Sequence, residues 1–270
     1  MDKGEQSCHV RLYPFRAIGS CRSQFKTSQT APPYLPGEIT DTIISFLPEV
    51  DYDFRPGYQS LCSCALVCRN WLPASRHTLF AYVSIRNNDQ YTLFVSSAVR
   101  SQSGRSWLSS TRRFALRGDS SDSPGSENST RLFVHELGGQ FPNLEGLSLN
   151  KVYFSSGISS PSPWKFASLS AFASVQVLKL FSCRFPSFAA ARYTLISLPS
   201  LVYLSLQDTT WPTARGSEPP LPFLRGSRKS PFLGKIRCLN FFCGEATCDD
   251  KMLQWFSTTS LAVSLEDLNV

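Results

Sequence analysis

Short stretches with apolar residues at positions i, i+3 and i+5 recur about every thirty residues along this chain of 270 residues. Each stretch fits a short strand with a fixed set of inward-facing side chains, because successive residues of a strand point to opposite faces. One polar residue, Thr111, interrupts the pattern. The seven inward-facing sets are Phe80/Val83/Ile85, Thr111/Phe114/Leu116, Leu144/Leu147/Leu149, Val175/Leu178/Leu180, Leu201/Leu204/Leu206, Ile236/Leu239/Phe241 and Leu265/Leu268/Val270.

A repeat of this length over residues 81–270 resembles a leucine-rich-repeat solenoid, whose units bury their apolar faces by stacking on one another. Asn150 and Cys183 follow two strands, where standard repeats often carry Asn or Cys. The resemblance implies an α/β fold with one parallel sheet whose strands lie in chain order. The irregular spacing marks a degenerate array. Helices are predicted over 90–99, 130–137, 187–196 and 247–256, and low-complexity loops over 118–130, 155–163 and 213–222.

Ahead of these strands the apolar spacing becomes that of helices. Leu35, Ile39, Ile43 and Leu47 recur every four residues and form one stripe. Pro36 suits the first turn of a helix, where its missing N–H is not needed. We therefore predict a first helix that Pro48 ends. The following elements are predicted as a loop over 51–60, a second helix over 61–71 and a third over 73–80.

The three-helix segment over residues 35–80 resembles the F-box. It is similar to the large families of fungal F-box proteins, in which Leu-Val-Cys-Arg-x-Trp-Leu-Pro is followed at once by a strand. The loop over 51–60 is longer than in the compact F-box. The resemblance is carried by Leu35-Pro36, Glu38-Ile39, Ile43-Ile44, Leu47, the run Val67-Cys68-Arg69-Asn70-Trp71, and Leu79-Phe80.

The F-box resemblance implies a substrate-receptor subunit of a cullin–RING ubiquitin ligase. Such a subunit docks on a Skp-type adaptor, and through it on a cullin, while the repeats hold a target protein. The alternative is a repeat scaffold whose F-box-like helices only cap the solenoid. A cap should bury its apolar stripe, whereas an adaptor-binding surface should expose part of it. The predicted adaptor-binding residues are Leu35, Pro36, Ile39, Ile43, Leu47, Val67, Cys68 and Trp71.

Target recognition is predicted on the side of the strands opposite the buried residues. Lys179 and Tyr203 lie there on adjacent strands, and tyrosine is a favoured interface anchor. The other residues between the buried positions of the third to sixth strands are mixed and nearly neutral, which argues against a surface that reads phosphate.

Composition and charge narrow the function classes. The net charge of +7 is spread over the chain without a zinc-finger or RNA-recognition pattern, so no nucleic-acid partner is expected. The three histidines lack an orienting carboxylate or an oxyanion motif, so neither an enzyme nor a cofactor is predicted. The cysteine spacings, including Cys62, Cys64 and Cys68, do not match a zinc knuckle, so no metal site is predicted.

The cellular location is predicted from the N-terminal segment, the length of the apolar runs and the spacing of the cysteines. Residues 1–34 have no apolar signal region and are interpreted as a flexible basic tail. No apolar run reaches the ~18–20 residues of a membrane helix. Nine cysteines without a regular framework suggest reduced thiols. We expect a cytoplasmic or nuclear protein without a membrane partner.

Overall fold

The computed structural model describes residues 36–47, 55–118, 133–154, 168–211, 235–242, 250–259 and 264–269. Several sequence predictions lie outside these residues. They are the basic tail over 1–34, the first site residue Leu35, the helix stop at Pro48, most of the three low-complexity loops, and the last inward-facing residue Val270.

Seven parallel strands form one sheet in chain order, which confirms the sequence prediction. The inward-facing leucines stand in line across it: Leu147 pairs with Leu178, Leu178 with Leu204, and Leu204 with Leu239. Each strand begins two residues after the start of its apolar pattern, because the first apolar position lies ahead of the strand, in the third helix for Phe80. The strands are β1 (Tyr82–Ile85), β2 (Arg113–Arg117), β3 (Gly146–Asn150), β4 (Val177–Phe181), β5 (Tyr203–Gln207), β6 (Cys238–Phe242) and β7 (Asp267–Asn269).

Three helices precede the sheet, and the predicted loop over 51–60 is wrong for residues 55–60. These residues begin the second helix, because Pro56 lies in its first turn, where no backbone N–H is required. The second helix also ends before the predicted Trp71, which instead begins the third helix. The three helices are α1 (Gly37–Ser45), α2 (Arg55–Val67) and α3 (Trp71–Ala81).

Further helices connect the strands. The helix predicted over 90–99 is present, but its second half is a π-helical turn, Val95–Val99. The helix predicted over 187–196 is confirmed, and the Ser187 side chain caps it by accepting from the N–H of Ala190. These helices are α4 (Asn88–Phe94), α5 (Gln102–Leu108), α6 (Phe133–Leu137), α7 (Phe188–Ile196) and α8 (Asp250–Thr258). The helix α5 and a 3₁₀ turn at Ser168–Phe172 were not predicted.

One hydrophobic core joins the inward face of the sheet to the connecting helices. Strands β1–β4 and β6 alternate buried residues with less buried ones, as period-2 packing requires. The buried strand residues cluster with helix residues such as Tyr91 on α4, Phe133 on α6 and Leu195 on α7. Burying such side chains contributes roughly 1.5–3 kcal/mol each, so the inward rows dominate the stability of this region.

The turns after β3, β4 and β5 share one backbone conformation. Lys151, Ser182 and Asp208 follow β3, β4 and β5 with φ values of 53°, 50° and 50°. Each donates its N–H to the last carbonyl of the next strand, which extends the ladder by one bond. Gly118 holds this position after β2 and donates to the Asn150 carbonyl over 2.8 Å. A Cβ on Gly118 would lie 2.1 Å from the Lys151 carbonyl oxygen, so only glycine fits there.

Cys183 is buried just beyond β4, and its thiol donates to the Leu149 carbonyl over 3.4 Å. Thr209 holds the matching position after β5 and donates to the Leu180 carbonyl over 3.4 Å. Asn150, in contrast, is the last residue of β3 and pairs with Phe181. The prediction that Asn150 follows its strand is therefore wrong, because β3 extends one residue past its last apolar position, Leu149, whereas Cys183 does follow its strand.

The last strand departs from the predicted burial. Leu268 pairs in register with Leu239, but its side chain is 54% exposed. Leu268 therefore stands in the inward-facing row as predicted, but the prediction that it is buried is wrong, because β7 pairs on one side only in the described sheet and nothing described covers its far side. No helix in the described part of the chain is long and apolar enough to cross a membrane.

Candidate functional site

The helical segment exposes large apolar side chains. On α1, Ile39 is 48% exposed and Ile43 is 41% exposed, while Ile44 on the opposite face is buried. At the end of α2, Leu66 and Val67 are 75% and 63% exposed. Six of the nine large apolar residues that are exposed in the described chain lie within 39–67, so the exposure is concentrated there. These six, named here the exposed helix residues, are Ile39, Ile43, Phe46, Tyr58, Leu66 and Val67.

The structure places seven of the eight predicted adaptor-binding residues on or beside the three helices. Exposed among them are Pro36 before α1, Ile39, Ile43, Val67 and Cys68, whereas Leu47 and Trp71 are half-buried. The predicted stripe on α1 is thus exposed at its centre.

Sequence analysis missed three of the exposed helix residues as site candidates, namely Phe46, Tyr58 and Leu66. Phe46 lies one residue past α1 and is 81% exposed. Leu66 lies beside Val67 in the last turn of α2. Two adjacent apolar residues cannot both face the interior of a helix packed on one side, and this was the signal that could have identified them.

The third helix connects the helical segment to the sheet. It packs against α1 and α2, and also against α5 and β1. The Phe80 ring stacks on Trp107 of α5 with ring centroids 6.4 Å apart. The Arg76 guanidinium lies 5.5 Å from the centre of the same Trp107 ring. The contact with the sheet region is therefore made by α3 and leaves the exposed helix residues uncovered.

A second candidate surface is the face of the sheet opposite the core, named here the open sheet face. Lys179 on β4 and Tyr203 on β5 both lie on it, as predicted, and both are half-buried. The Lys179 ammonium nitrogen is 5.8 Å from the centre of the Tyr203 ring, a cation–π distance. The Tyr203 hydroxyl accepts a hydrogen bond from the Asn240 side-chain amide on β6. The two predicted target-binding residues therefore form one connected cluster with Asn240.

Two salt bridges lie where the chain enters the strands of this sheet. Arg112 bonds Glu145 before β2 and β3, and Arg237 lies 3.6 Å from Glu266 before β6 and β7. All four side chains are largely exposed, so each pair contributes at most about 1 kcal/mol. Their effect on the surface is to neutralise these four charges locally.

The groups that sequence analysis considered for chemistry are dispersed. His77 and His135 are exposed and lie on different helices. Burial raises the pKa of the Cys183 thiol to about 12, which keeps it neutral and unreactive. Within the described ranges, no group of three His, Cys, Asp or Glu side chains could hold a metal ion.

The exposed helix residues and the open sheet face are therefore the two candidate binding surfaces of the described chain. No protein-family model and no curated protein sequence matches the chain.

Proposed function

We propose that this chain is the substrate-receptor subunit of a cullin–RING ubiquitin ligase. It docks on a Skp-type adaptor through an F-box formed by α1–α3 and holds a target on a leucine-rich-repeat sheet. The observation that carries the proposal is the concentration of exposed apolar side chains in the segment with the F-box-like motif. Single exposed apolar residues are ordinary on protein surfaces, but a cluster is typical of an interaction site.

The energetics of such a surface favour a stable partner. Fully burying an apolar side chain contributes roughly 1.5–3 kcal/mol, and the exposed helix residues are between 41% and 81% exposed. Covering several of them would supply part of the roughly 4–15 kcal/mol that association costs, and the remainder would come from polar contacts and from the half-buried Leu47 and Trp71.

The capping alternative fits the arrangement less well. A cap would stabilise the sheet by placing its own apolar side chains against the first strand. Among the described helices of this segment, α3 packs against β1 and α5, with Phe80 and Arg76 on Trp107 of α5. The α1 residues Ile39 and Ile43 stay exposed, and a cap has no use for them in that position.

The mechanism that follows is proximity. The receptor raises the effective concentration of its target near the ubiquitin-charged enzyme, and it makes or breaks no bond itself. Target binding is assigned to the open sheet face around Lys179 and Tyr203, whose contact holds both side chains in place. The adaptor site on α1 and α2 and the target site on the sheet are then separate surfaces of one subunit.

Adaptor binding is tested with a charge-insertion variant and a matched control. Ile39→Asp with Ile43→Asp should abolish co-purification of the full chain with a purified Skp-type adaptor. The control is Leu93→Asp with Leu268→Asp, which places the same charges on two apolar residues that are similarly exposed outside the helical segment. The control should retain binding. Equal binding by both variants would contradict the proposal.

Target binding is tested in cells by replacing Lys179 and Tyr203 together with alanine. We expect the adaptor to bind as before and target ubiquitination to fall, because the cluster with Asn240 is lost. Target turnover at the wild-type rate, with adaptor binding intact, would remove the open sheet face from the account. The low-complexity loops over 155–163 and 213–222 would then become the candidates.

A further inference from the structure

Positive charge on the open sheet face is concentrated on the early strands. Arg113 and Arg117 lie on β2 and Lys179 on β4, at positions that alternate with buried residues. Arg86 follows β1 by one residue, at the register of Arg117. The one acidic residue among the described strand residues is Asp267, on β7 at the opposite end of the sheet.

The two β2 arginines are available to a partner. Both are exposed, and neither belongs to a salt bridge with any described residue. The neighbouring acid, Glu145, is bonded to Arg112 instead. A Cβ on Gly146 would lie only 3.3 Å from the Arg113 Cγ, so the arginine stem lies over the backbone of β3. The absence of a side chain at Gly146 gives Arg113 this position.

Aromatic side chains follow on the next strands of the same face. Phe181 lies on β4, Tyr203 on β5 and Phe242 on β6. Phe242 is 44% exposed, which is unusual for phenylalanine. Tyr203 is fixed between the Lys179 ammonium group and the Asn240 amide. The open sheet face thus changes from cationic on β2–β4 to aromatic on β4–β6.

We infer that the open sheet face binds an acidic segment of a protein, with a large apolar side chain next to the acidic residues. Its carboxylates face Arg113, Arg117 and Lys179, and its apolar residue packs against Phe181, Tyr203 and Phe242. This inference rests on the proposed function only in naming the bound protein as the ubiquitination target. It gives the chemistry of that target. The residues between the buried positions of the third to sixth strands are nearly neutral and do not indicate this chemistry.

The dimensions suit a short extended segment. Neighbouring strands lie about 4.8 Å apart, so β2 and β6 are separated by roughly 19 Å. An extended chain rises about 3.3 Å per residue, and about six residues therefore cross from the arginines to Phe242. Arginine suits this role because its planar fork bonds a carboxylate through two N–H groups.

The test measures binding of a short fluorescent peptide of consecutive glutamates followed by one phenylalanine to the full chain. Replacing both arginines, Arg113→Gln with Arg117→Gln, should weaken binding about fivefold to tenfold. The glutamine keeps the Cγ that packs over Gly146. The matched control, Arg69→Gln with Lys235→Gln, removes the same charge from two exposed positions off the open sheet face and should bind as the wild type does. Added salt should weaken wild-type binding.

A charge-reversal variant distinguishes a specific loss of binding from misfolding. Arg113→Glu with Arg117→Glu should lose the glutamate peptide and gain binding to the matching lysine peptide, which an unfolded chain would not do selectively. Equal peptide binding by the glutamine variant and its control would overturn the inference. So would displacement of the peptide by a single-stranded oligonucleotide at lower concentration than by unlabelled peptide, which would identify a nucleic-acid surface. Adaptor binding by the Arg113/Arg117 variants should be unchanged, so failure here leaves the adaptor proposal standing.

Discussion

The helical segment and the sheet treat apolar residues in opposite ways. In the sheet, Leu178 and Leu204 stand in register under the connecting helices and are almost completely buried. In the helical segment, Ile39 and Leu66 are exposed although their helices pack on α3. The sheet region buries most of its apolar side chains within itself, whereas the helical segment has more apolar side chains than it can bury. That surplus is the physical basis for proposing a partner there.

The largest expected difference between the regions is in stability. Leu178→Ala should lower the free energy of unfolding by about 2–5 kcal/mol, because it empties a fully buried position. Leu66→Ala removes the same atoms from an exposed helix position. It should change the free energy of unfolding by less than about 0.5 kcal/mol. Urea denaturation of both variants measures the two effects. Similar losses would show that Leu66 is part of a core.

This difference also explains how much of the fold could be predicted from the sequence. The seven strands and their order were predictable because the apolar period fixes which residues stack on which. The bounds of α2 were not, because the sequence around Pro56 fits a turn and the first turn of a helix equally well. Exposure of Leu268 depends on the neighbours of β7 and has no local sequence signal.

The candidate site was predictable in part. The F-box-like motif predicts Ile39, Ile43 and Val67 as surface residues, and all three are exposed. The basic part of the open sheet face was missed, because charge there depends on which arginines are already neutralised. Arg112 and Arg113 are adjacent in sequence, but only Arg112 bonds an acid in the described chain. Sequence alone does not show which of two adjacent arginines pairs with an acid.

A smaller effect is expected at two glycines, one in each region. Gly118→Ala should lower the free energy of unfolding by roughly 1–3 kcal/mol, because its Cβ would collide with the Lys151 carbonyl oxygen and force the backbone to move. Gly37→Ala, at the start of α1, has no atom within 4 Å of its Cβ and should leave stability unchanged or raise it by up to about 1 kcal/mol. Thermal unfolding compares them. An unchanged melting temperature for Gly118→Ala would contradict the close turn after β2.

The smallest perturbation is chemical labelling of the native thiols. Cys68, after α2, is exposed and should react with a maleimide readily. Cys183, beyond β4, should react only when the protein is unfolded, because burial hides it and raises its pKa to about 12, so almost no thiolate forms at neutral pH. Peptide mass spectrometry gives both rates. Comparable labelling of the two thiols in the native protein would mean that the sheet region opens as easily as the helical segment.

The central claim is that the exposed helix residues bind a Skp-type adaptor, and its most direct test is affinity purification of the chain from its native cells with identification by mass spectrometry. The account predicts that a Skp-type adaptor and a cullin are recovered with the wild type and with Leu93→Asp/Leu268→Asp. Both should be lost with Ile39→Asp/Ile43→Asp. Recovery of target proteins without adaptor or cullin from the wild type would contradict the account and favour a scaffold whose helices only cap the sheet.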